Sequence, residues 1–318
     1  MTSILGITAP IFILIALGFA SVRSGLLSRE HIRGMGVFVI KIALPALVVN
    51  ALMHKQLHEI WQPQYLFAYG IASLLACAIG LYVYYRRFGE PLQHAAIMSM
   101  GASMSNTGFI GYGLLTMIIG NQAAVYFSMT LIIENLLMVP IILTLAELGR
   151  QQSAQAQASI PRILLRTFAN VAKNPLIISL CVGLLLSGLQ AALPQPIERV
   201  LAMLATCAAP LAIFVIGGNL VGTNIQAAGK HALIISAIKL VVMPLTVFVL
   251  LSLLPNVSEE MRFAGVLLAS VSMATMYSLL GQHYGIGERA AAVLLITTLL
   301  MFFSVTTVLW CWSHYLQP

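Results

Sequence analysis

Polar residues and glycines interrupt an apolar segment that is long enough to cross a bilayer. The segment runs roughly over residues 95–119, and its middle reads Ser105-Asn-Thr-Gly-Phe-Ile-Gly-Tyr-Gly113. Three glycines within six residues favour a break in the helix, because glycine is a weak helix former. Backbone groups freed at membrane depth must be satisfied by protein or must line a wet cavity. The pattern predicts a binding site at a helix break; the alternative is that the glycines only allow close helix packing.

Asn106, Thr107 and Gly108 are the residues that we expect to contact a bound solute directly. At a break, the amide and hydroxyl side chains lie beside exposed backbone N–H groups, and the N-terminus of a half-helix attracts a carboxylate. Hydroxyl groups in a later apolar segment are candidates for the opposite side of the site, unless they only bond their own backbone. These weaker candidates are Ser270, Ser272 and Tyr277, to which we add Asn50 and Asn219 near prolines of two other segments.

Three ionisable residues lie inside apolar segments, where charged groups are rare and usually face the protein interior or a cavity. Glu134 is either a proton or cation site or a structural carboxylate that pairs with Lys239 or Lys41. Lys41 lies near the end of its segment, from which its ammonium group can reach the membrane surface. Lys239 lies deeper, and it either attracts an anionic substrate or has a structural role. We assign Glu134 and Lys239 to ion coupling as a hypothesis.

The composition is that of a polytopic membrane protein. Of its 318 residues, 60% are hydrophobic and only 8% are charged, with a mean hydropathy of +0.96, whereas about a quarter of a soluble protein is charged. The net charge of +7 comes from basic residues in short loops, so the membrane surface explains it better than nucleic acid does. The chain has no aspartate, and its four cysteines lack the spacing of metal ligands. We predict no catalytic residue, no metal site and no cofactor.

Ten apolar segments predict an all-α fold with ten transmembrane helices. They cover roughly residues 4–20, 35–53, 65–84, 95–119, 123–145, 175–193, 200–220, 232–254, 263–280 and 290–312. The connection 147–174 is predicted to be a linker with a polar low-complexity run and a basic amphipathic segment over residues 160–171. This linker separates a first five-helix unit, residues 1–146, from a second, residues 175–318.

The charges of the loops predict the orientation in the membrane. Loops after odd-numbered segments carry eleven lysines and arginines, whereas loops after even-numbered segments carry three. Because basic loops stay in the cytoplasm, this asymmetry places the linker inside and both termini on the non-cytoplasmic side. We expect a multi-pass protein of a cell membrane, with a bacterial inner membrane as the setting.

The two halves are similar at a nearly constant offset. Pro10, Gly18 and Pro45 recur 165 residues later as Pro175, Gly183 and Pro210, while Gly120 and Ala123 recur 167 residues later as Gly287 and Ala290. Since each half has five segments, the second half must enter the membrane from the opposite side. This is an inverted repeat, a construction that recurs in secondary transporters. It predicts that the ninth segment is broken like the fourth, although the ninth contains no proline and no glycine before Gly281.

Four motifs, in this order and spacing, resemble the auxin efflux carrier family, which includes bacterial malonate and malate permeases. They are Leu44-Pro-Ala-Leu47, Asn106-Thr-Gly-Phe-Ile-Gly111, Asn174-Pro-Leu-Ile177 and Lys239-Leu-Val-Val-Met-Pro244. The resemblance covers essentially the whole chain. It implies the fold of the bile-acid sodium symporters, in which helices 1, 2, 6 and 7 form a scaffold and helices 4 and 9 cross, broken, at the substrate site. Two features depart from the family: proline is missing at the predicted crossing, and the glutamate of the sodium site has no counterpart in the ninth segment.

The resemblance and the residues together predict a secondary carrier for a small organic anion, a mono- or dicarboxylate, that works by alternating access. Coupling to protons is favoured over coupling to sodium, and a homodimer is left open. The alternatives are a membrane receptor or sensor for a small molecule, and an intramembrane enzyme. The enzyme would have to use a serine with a lysine, such as Ser272 with Lys239, because no aspartate is present.

Overall fold

The computed structural model describes residues 4–153, 171–191, 193–222 and 228–316, together with positions 161, 165, 168 and 169. All regular elements in these ranges are helices. We number them by the predicted segment to which they correspond: α1 Ile4–Arg23, α2 Arg29–Leu52, α3 Pro63–Arg87, α4a Leu92–Ser103, α4b Thr107–Ile119, α5 Ala123–Arg150, α6 Pro175–Leu189, α7 Gln195–Asn219, α8 His231–Leu253, α9a Glu259–Ser270, α9b Met276–His283 and α10 Gly287–His314. Most of the predicted linker and its amphipathic segment lie outside the described residues.

Six of these helices are long and apolar enough to cross a membrane, namely α2, α3, α5, α7, α8 and α10. Each of the ten predicted segments corresponds to a helix or to a pair of helices. The fourth and ninth segments are each divided, so neither half reaches a membrane-spanning length alone, and α6 has only 15 residues. Within the described ranges the structure therefore shows a helical protein with six candidate spans, and the count of ten stays a prediction.

Prolines widen three of the long helices into π-helical turns. These turns are Val39–Ala43, Ile133–Met138 and Ile238–Val242, and each ends two residues before a proline, at Pro45, Pro140 or Pro244. Proline has no N–H group and its ring displaces the carbonyl of the preceding turn, so the regular hydrogen-bond pattern cannot continue there. The three ionisable residues of the apolar segments, Lys41, Glu134 and Lys239, all lie in these turns. Turns of this type are frequent at functional sites.

The chain forms two compact units. The first comprises residues 1–63, 107–129 and 173–222, as far as they are described, and the second comprises 64–106, 130–172 and 223–318. In the first unit α7 packs against α1 and α2, and α6 packs against α2. The approach of α1 to α7 is so close that the backbone carbonyl of Phe214 lies against Gly18, where any side chain would collide with it. Gly183 of α6 likewise lies against Leu52. Gly18 and Gly183, which the repeat matches with each other, are therefore both packing positions.

In the second unit, α4a packs against the later part of α5, while α9a packs against α8 and α9b against α10. Polar contacts join the ends of these helices. Arg289, in the first turn of α10, forms an ion pair of 2.5 and 3.1 Å with both carboxylate oxygens of Glu90, which precedes α4a. The Tyr84 hydroxyl, near the end of α3, donates to the backbone carbonyl of His231. Residues from three loops that follow odd-numbered segments are thus in contact.

The Glu90–Arg289 ion pair makes the stability of the protein depend on pH. The Arg289 guanidinium, hydrogen-bonded to Glu90, holds the pKa of that carboxyl below its usual range. A lowered pKa contributes stability above the ordinary glutamate pKa of about 4.3, and this contribution is lost as the pH falls through the folded-state value. We expect Glu90→Gln to lower the thermal midpoint near neutral pH and to reduce its fall on acidification, as measured by circular dichroism in detergent.

Glu288→Gln is the matched control, because Glu288 is exposed and has no ion pair with a described residue. Glu288→Gln should change neither the thermal unfolding midpoint nor the dependence of that midpoint on pH. Since the Glu90–Arg289 pair is partly exposed, we expect an effect on the order of 1 kcal/mol. Equal behaviour of the two variants would show that the ion pair contributes nothing to stability.

Candidate binding site

The breaks of the fourth and ninth segments both lie in the second unit and meet there, at a place that we call the crossing. The extended residues 104–106 follow α4a, and residues 271–275 follow α9a. Ser105 and Met273 form an antiparallel bridge. The Asn106 N–H donates to the carbonyl of Ser272 at 2.7 Å, and the Ala274 N–H donates to the carbonyl of Met104 at 3.2 Å. The two breaks therefore satisfy part of each other's backbone, as buried backbone groups away from water must be.

The break of the fourth segment includes Asn106, as the sequence predicts, and lies before the glycines that suggested it. Gly108, Gly111 and Gly113 are all helical in α4b, and none has a positive φ angle. These glycines suggested a break in the helix. At Gly113, however, a glycine is needed because α7 approaches closely: a side chain there would lie 2.9 Å from Ala209. For this residue the packing alternative is the one that the structure supports.

The break of the ninth segment forms without proline or glycine. Val271 is extended, with φ −77° and ψ 163°, and α9b starts again at Met276. Hydroxyl side chains offer the backbone alternative hydrogen bonds and weaken a helix interior, and this break contains Ser272 and Thr275. The stronger cause is the mutual pairing of the two breaks, which a single segment of sequence does not reveal. α4a and α9a have 12 residues each, and their bounds differ by 167 residues at both ends.

A buried polar cluster holds the crossing in place around Ser105. The backbone N–H of Ser105 donates to Glu134 Oε1 at 2.7 Å, and its Oγ accepts from Lys239 Nζ at 2.9 Å. The Tyr69 hydroxyl lies 2.9 Å from the same Oγ. Lys239 also donates to the carbonyl of Ala269 and to the sulfur of Met243. Lys239 is fully buried and Glu134 is 4% exposed.

This cluster brings together the two residues that we assigned to ion coupling. Glu134 and Lys239 belong to α5 and α8 and meet on Ser105. The arrangement supports a structural role for Glu134: its carboxylate accepts from the Ser105 N–H, and Lys239, which donates to the Ser105 hydroxyl, attracts it through a medium of low dielectric constant. Lys41, the other predicted partner, is exposed and belongs to the first unit. The sequence prediction missed Ser105 and Tyr69 as members of this cluster.

Polar groups without partners mark the part of the crossing that could contact a bound molecule. The hydroxyl oxygens of Ser272 and Thr275 are buried and have no hydrogen bond to any described residue. The side-chain amide of Asn106, a residue 4% exposed, also has none within the described part of the chain. Buried polar groups are normally hydrogen-bonded, so such groups indicate a missing ligand or water. Thr275 was not among the predicted residues.

Other predicted site residues of this unit already have partners. The Ser270 hydroxyl donates to the carbonyl of Leu267 in its own helix at 2.8 Å, which is the backbone alternative that we left open. Tyr277 is fully buried, and its hydroxyl donates to the sulfur of Met98 at 3.1 Å. Lys239 donates to Ser105, Met243 and Ala269 and not to Ser272, so the Ser272–Lys239 pair considered for an intramembrane enzyme is not formed.

Four predicted site residues belong to the first unit. Thr107 and Gly108 begin α4b, directly after Asn106 in sequence. Asn50 lies near the end of α2, whereas Asn219 is the exposed last residue of α7. The segment after α7 contacts the start of α2, since the Arg29 guanidinium lies against Gly222. Asn50 and Asn219 are therefore about a helix length apart, roughly 30 Å at 1.5 Å per residue, and cannot contact one small molecule together.

The described residues contain no group of three or more histidines, cysteines or glutamates that could hold a metal ion. The donors at the crossing are instead an amide and two hydroxyl groups, since the N–H groups of Tyr277 and Ser278 in the first turn of α9b already donate to Ala274 and Thr275. This set of neutral hydrogen-bond donors suits an anion, and the N-terminus of a helix adds a favourable dipole.

Comparison with known proteins places the chain in a family. A family model described as "Membrane transport protein" matches residues 3–311. A protein of Rhizobium meliloti (strain 1021), named "Putative malonate transporter", is 30% identical over 319 residues, covering 98% of this chain and 96% of the relative. The "Uncharacterized transporter YfdV" of Escherichia coli (strain K12) and that of Shigella flexneri are each 21% identical over 316 residues, covering 98% and 97%. The chain therefore belongs to this membrane transport family, the auxin efflux carrier family that its sequence resembles.

Proposed function

We propose that the protein is a secondary transporter that moves a small organic anion, a mono- or dicarboxylate, across a membrane by alternating access. The observation that carries this proposal is the crossing of two interrupted helices with unpartnered donors at Asn106, Ser272 and Thr275. Secondary transporters bind their substrates between discontinuous helices of this kind. The name of the Rhizobium relative makes malonate the first substrate to test.

A carboxylate fits these donors in a simple way. One carboxylate oxygen accepts from the Asn106 amide and the other from the Ser272 or Thr275 hydroxyl, while the N-terminus of α9b supplies a positive partial charge. Lys239 already donates a hydrogen bond to the Ser105 hydroxyl at the crossing. It therefore contributes a positive electrostatic potential rather than a direct contact.

The membrane arrangement is part of the same proposal: ten transmembrane helices in two inverted repeats of five, in the lipid bilayer of a bacterial inner membrane, with both termini on the non-cytoplasmic side. The equal lengths and constant offset of α4a and α9a support the repeat. Contacts inside each unit support the alternating direction of the helices, because each contact joins loops that are predicted to lie on the same side of the membrane. Glu90 meets Arg289 on the basic side, and in the first unit Lys55 donates to Gln122 and His54 pairs with Glu198 on the other side.

The energy for transport comes from an ion gradient or from the gradient of the substrate itself. Coupling to protons remains our hypothesis, and Glu134 with Lys239 is the pair that would take part in it. The contacts of Glu134 support a structural role, so a change at this residue has to be assessed by stability as well as by transport. A homodimer stays open.

Ser272→Ala tests the assignment of the site. It removes a buried hydroxyl group without a partner, so the stability of the protein should stay the same or rise slightly, while uptake at low substrate concentration should fall about tenfold. The measurement is uptake of labelled malonate by proteoliposomes, together with the thermal midpoint of the purified variant.

Ser103→Ala is the matched control. Ser103 is equally buried, at the end of α4a, but its hydroxyl donates to the carbonyl of Ser99 in its own helix at 2.8 Å. Its removal should leave transport unchanged. If Ser272→Ala transports like the wild type, or if both variants lose transport equally, Ser272 is not a substrate contact.

A further inference from the structure

The ammonium group of Lys239 has the surroundings of a bound cation. Its Nζ lies 2.9 Å from Ser105 Oγ, 2.5 Å from the carbonyl oxygen of Ala269 and 3.4 Å from Met243 Sδ. Three acceptors match the three N–H donors of a protonated lysine. The side chain is fully buried, so no solvent shares in this coordination.

The Ala269 carbonyl is the kind of acceptor that holds coupling ions in transporters. Ala269 is the penultimate residue of α9a, and its carbonyl is one of the last four of that helix, which have no intrahelical partner. These carbonyls carry the negative end of the helix dipole. In secondary transporters, carbonyl groups at the ends of interrupted helices coordinate the coupling ion. In this protein Lys239 reaches the same position from α8.

The charges around the place that Lys239 Nζ occupies allow only one cation there. Glu134 supplies a carboxylate, whose Oε1 accepts the N–H of Ser105, and Lys239 supplies the matching positive charge. A sodium ion at the same oxygens would place a second positive charge beside a single carboxylate in a medium of low dielectric constant, where like charges repel strongly. The lysine and a sodium ion therefore exclude each other.

We infer that the crossing contains a latent site for a monovalent cation, formed by the Ser105 hydroxyl and the Ala269 carbonyl and filled by the ammonium group of Lys239, with the carboxylate of Glu134 bonded to the N–H of the same Ser105. The inference rests on the proposed function only in its consequence for transport, which is that the wild-type carrier works without sodium. The site itself follows from the contacts of the second unit. A shorter, uncharged side chain at position 239 should open it to sodium.

The test compares wild type with Lys239→Ser in sodium chloride and in choline chloride of equal ionic strength. Thermal unfolding of the purified proteins in detergent is the readout, because it requires no transport. We expect the wild-type midpoint to be equal in both salts. Lys239→Ser should be less stable in choline and should gain about 2–10 °C in sodium, since a ligand that binds only the folded state stabilises it. Lys41→Ser, which changes an exposed lysine in another π-helical turn, should respond to neither salt.

A rise of the wild-type midpoint in sodium would overturn the inference, as would a folded Lys239→Ser protein that does not respond to sodium. If Lys239→Ser cannot be purified in either salt, wild-type uptake decides: stimulation by sodium contradicts the inference, and equal uptake in both salts supports it. A sodium response of Lys239→Ser without uptake of any carboxylate by the wild type would keep the cation site and remove the proposed function.

Discussion

Replacing Lys239 by methionine should lower the thermal stability of the protein far more than Glu90→Gln or Ser272→Ala. Lys239→Met removes the buried positive charge that meets Glu134 on Ser105, and it removes the donor to the Ala269 carbonyl. Removing one partner of a buried ion pair costs about 3–5 kcal/mol, because the remaining charge has lost its solvent and its counter-charge. We expect a large fall of the unfolding midpoint in detergent, with reduced expression in the membrane.

The double variant Glu134→Gln, Lys239→Met distinguishes a buried ion pair from two independent losses. Replacing both charges by neutral groups of similar size is often close to neutral for stability. The double variant should therefore be more stable than Lys239→Met alone, and a double-mutant cycle should give a large coupling energy. Strictly additive losses would show that Glu134 and Lys239 do not interact, contrary to their shared contact with Ser105.

The positions of the helices could be predicted well from the sequence, and the contacts between them could not. The apolar segments predict each of the numbered helices, some ends closely, as for α8, predicted at 232–254 and found at His231–Leu253, and others less so, as for α2, predicted from residue 35 and found from Arg29. The partner of Glu134 stayed open because a lone carboxylate in an apolar segment carries no signal of what lies opposite. Only the crossing, where both residues bond Ser105, brings it near Lys239.

The candidate site shows the same limit at the level of single residues. Ser103, Ser270 and Ser272 are indistinguishable as serines in apolar segments. The first two bond their own helix, and only the third lies in a break with an unpartnered hydroxyl. The glycines after Asn106 predicted a break in the middle of the fourth segment, but they are not the residues that form it. The extended backbone precedes them, because its hydrogen bonds go to the ninth segment, which is distant in sequence.

Asn106→Ala should have the largest effect on transport. The change removes one donor and one acceptor of the side chain at the crossing, while the backbone N–H that pairs with Ser272 is retained. A hydrogen bond to a charged group contributes roughly 1.5–3 kcal/mol, so the affinity for a carboxylate should fall about ten- to a hundredfold. Concentration-dependent uptake in proteoliposomes measures this as a rise of KM.

The fold should tolerate Asn106→Ala, because the side-chain amide makes no hydrogen bond to the described residues. Its thermal midpoint should stay within a few degrees of the wild-type value. Thr116→Val is a suitable comparison in α4b, since the Thr116 hydroxyl bonds only the carbonyl of Tyr112 in its own helix. An unchanged KM in Asn106→Ala would remove this residue from the site.

Uptake of labelled malonate by proteoliposomes that contain only the purified protein tests the central claim most directly. The account predicts saturable uptake above that of protein-free liposomes, competition by other small carboxylates but not by neutral or cationic solutes, and a loss of affinity in Asn106→Ala and Ser272→Ala. The absence of saturable uptake for malonate and for every other mono- and dicarboxylate, with a protein that is folded and inserted, would contradict it.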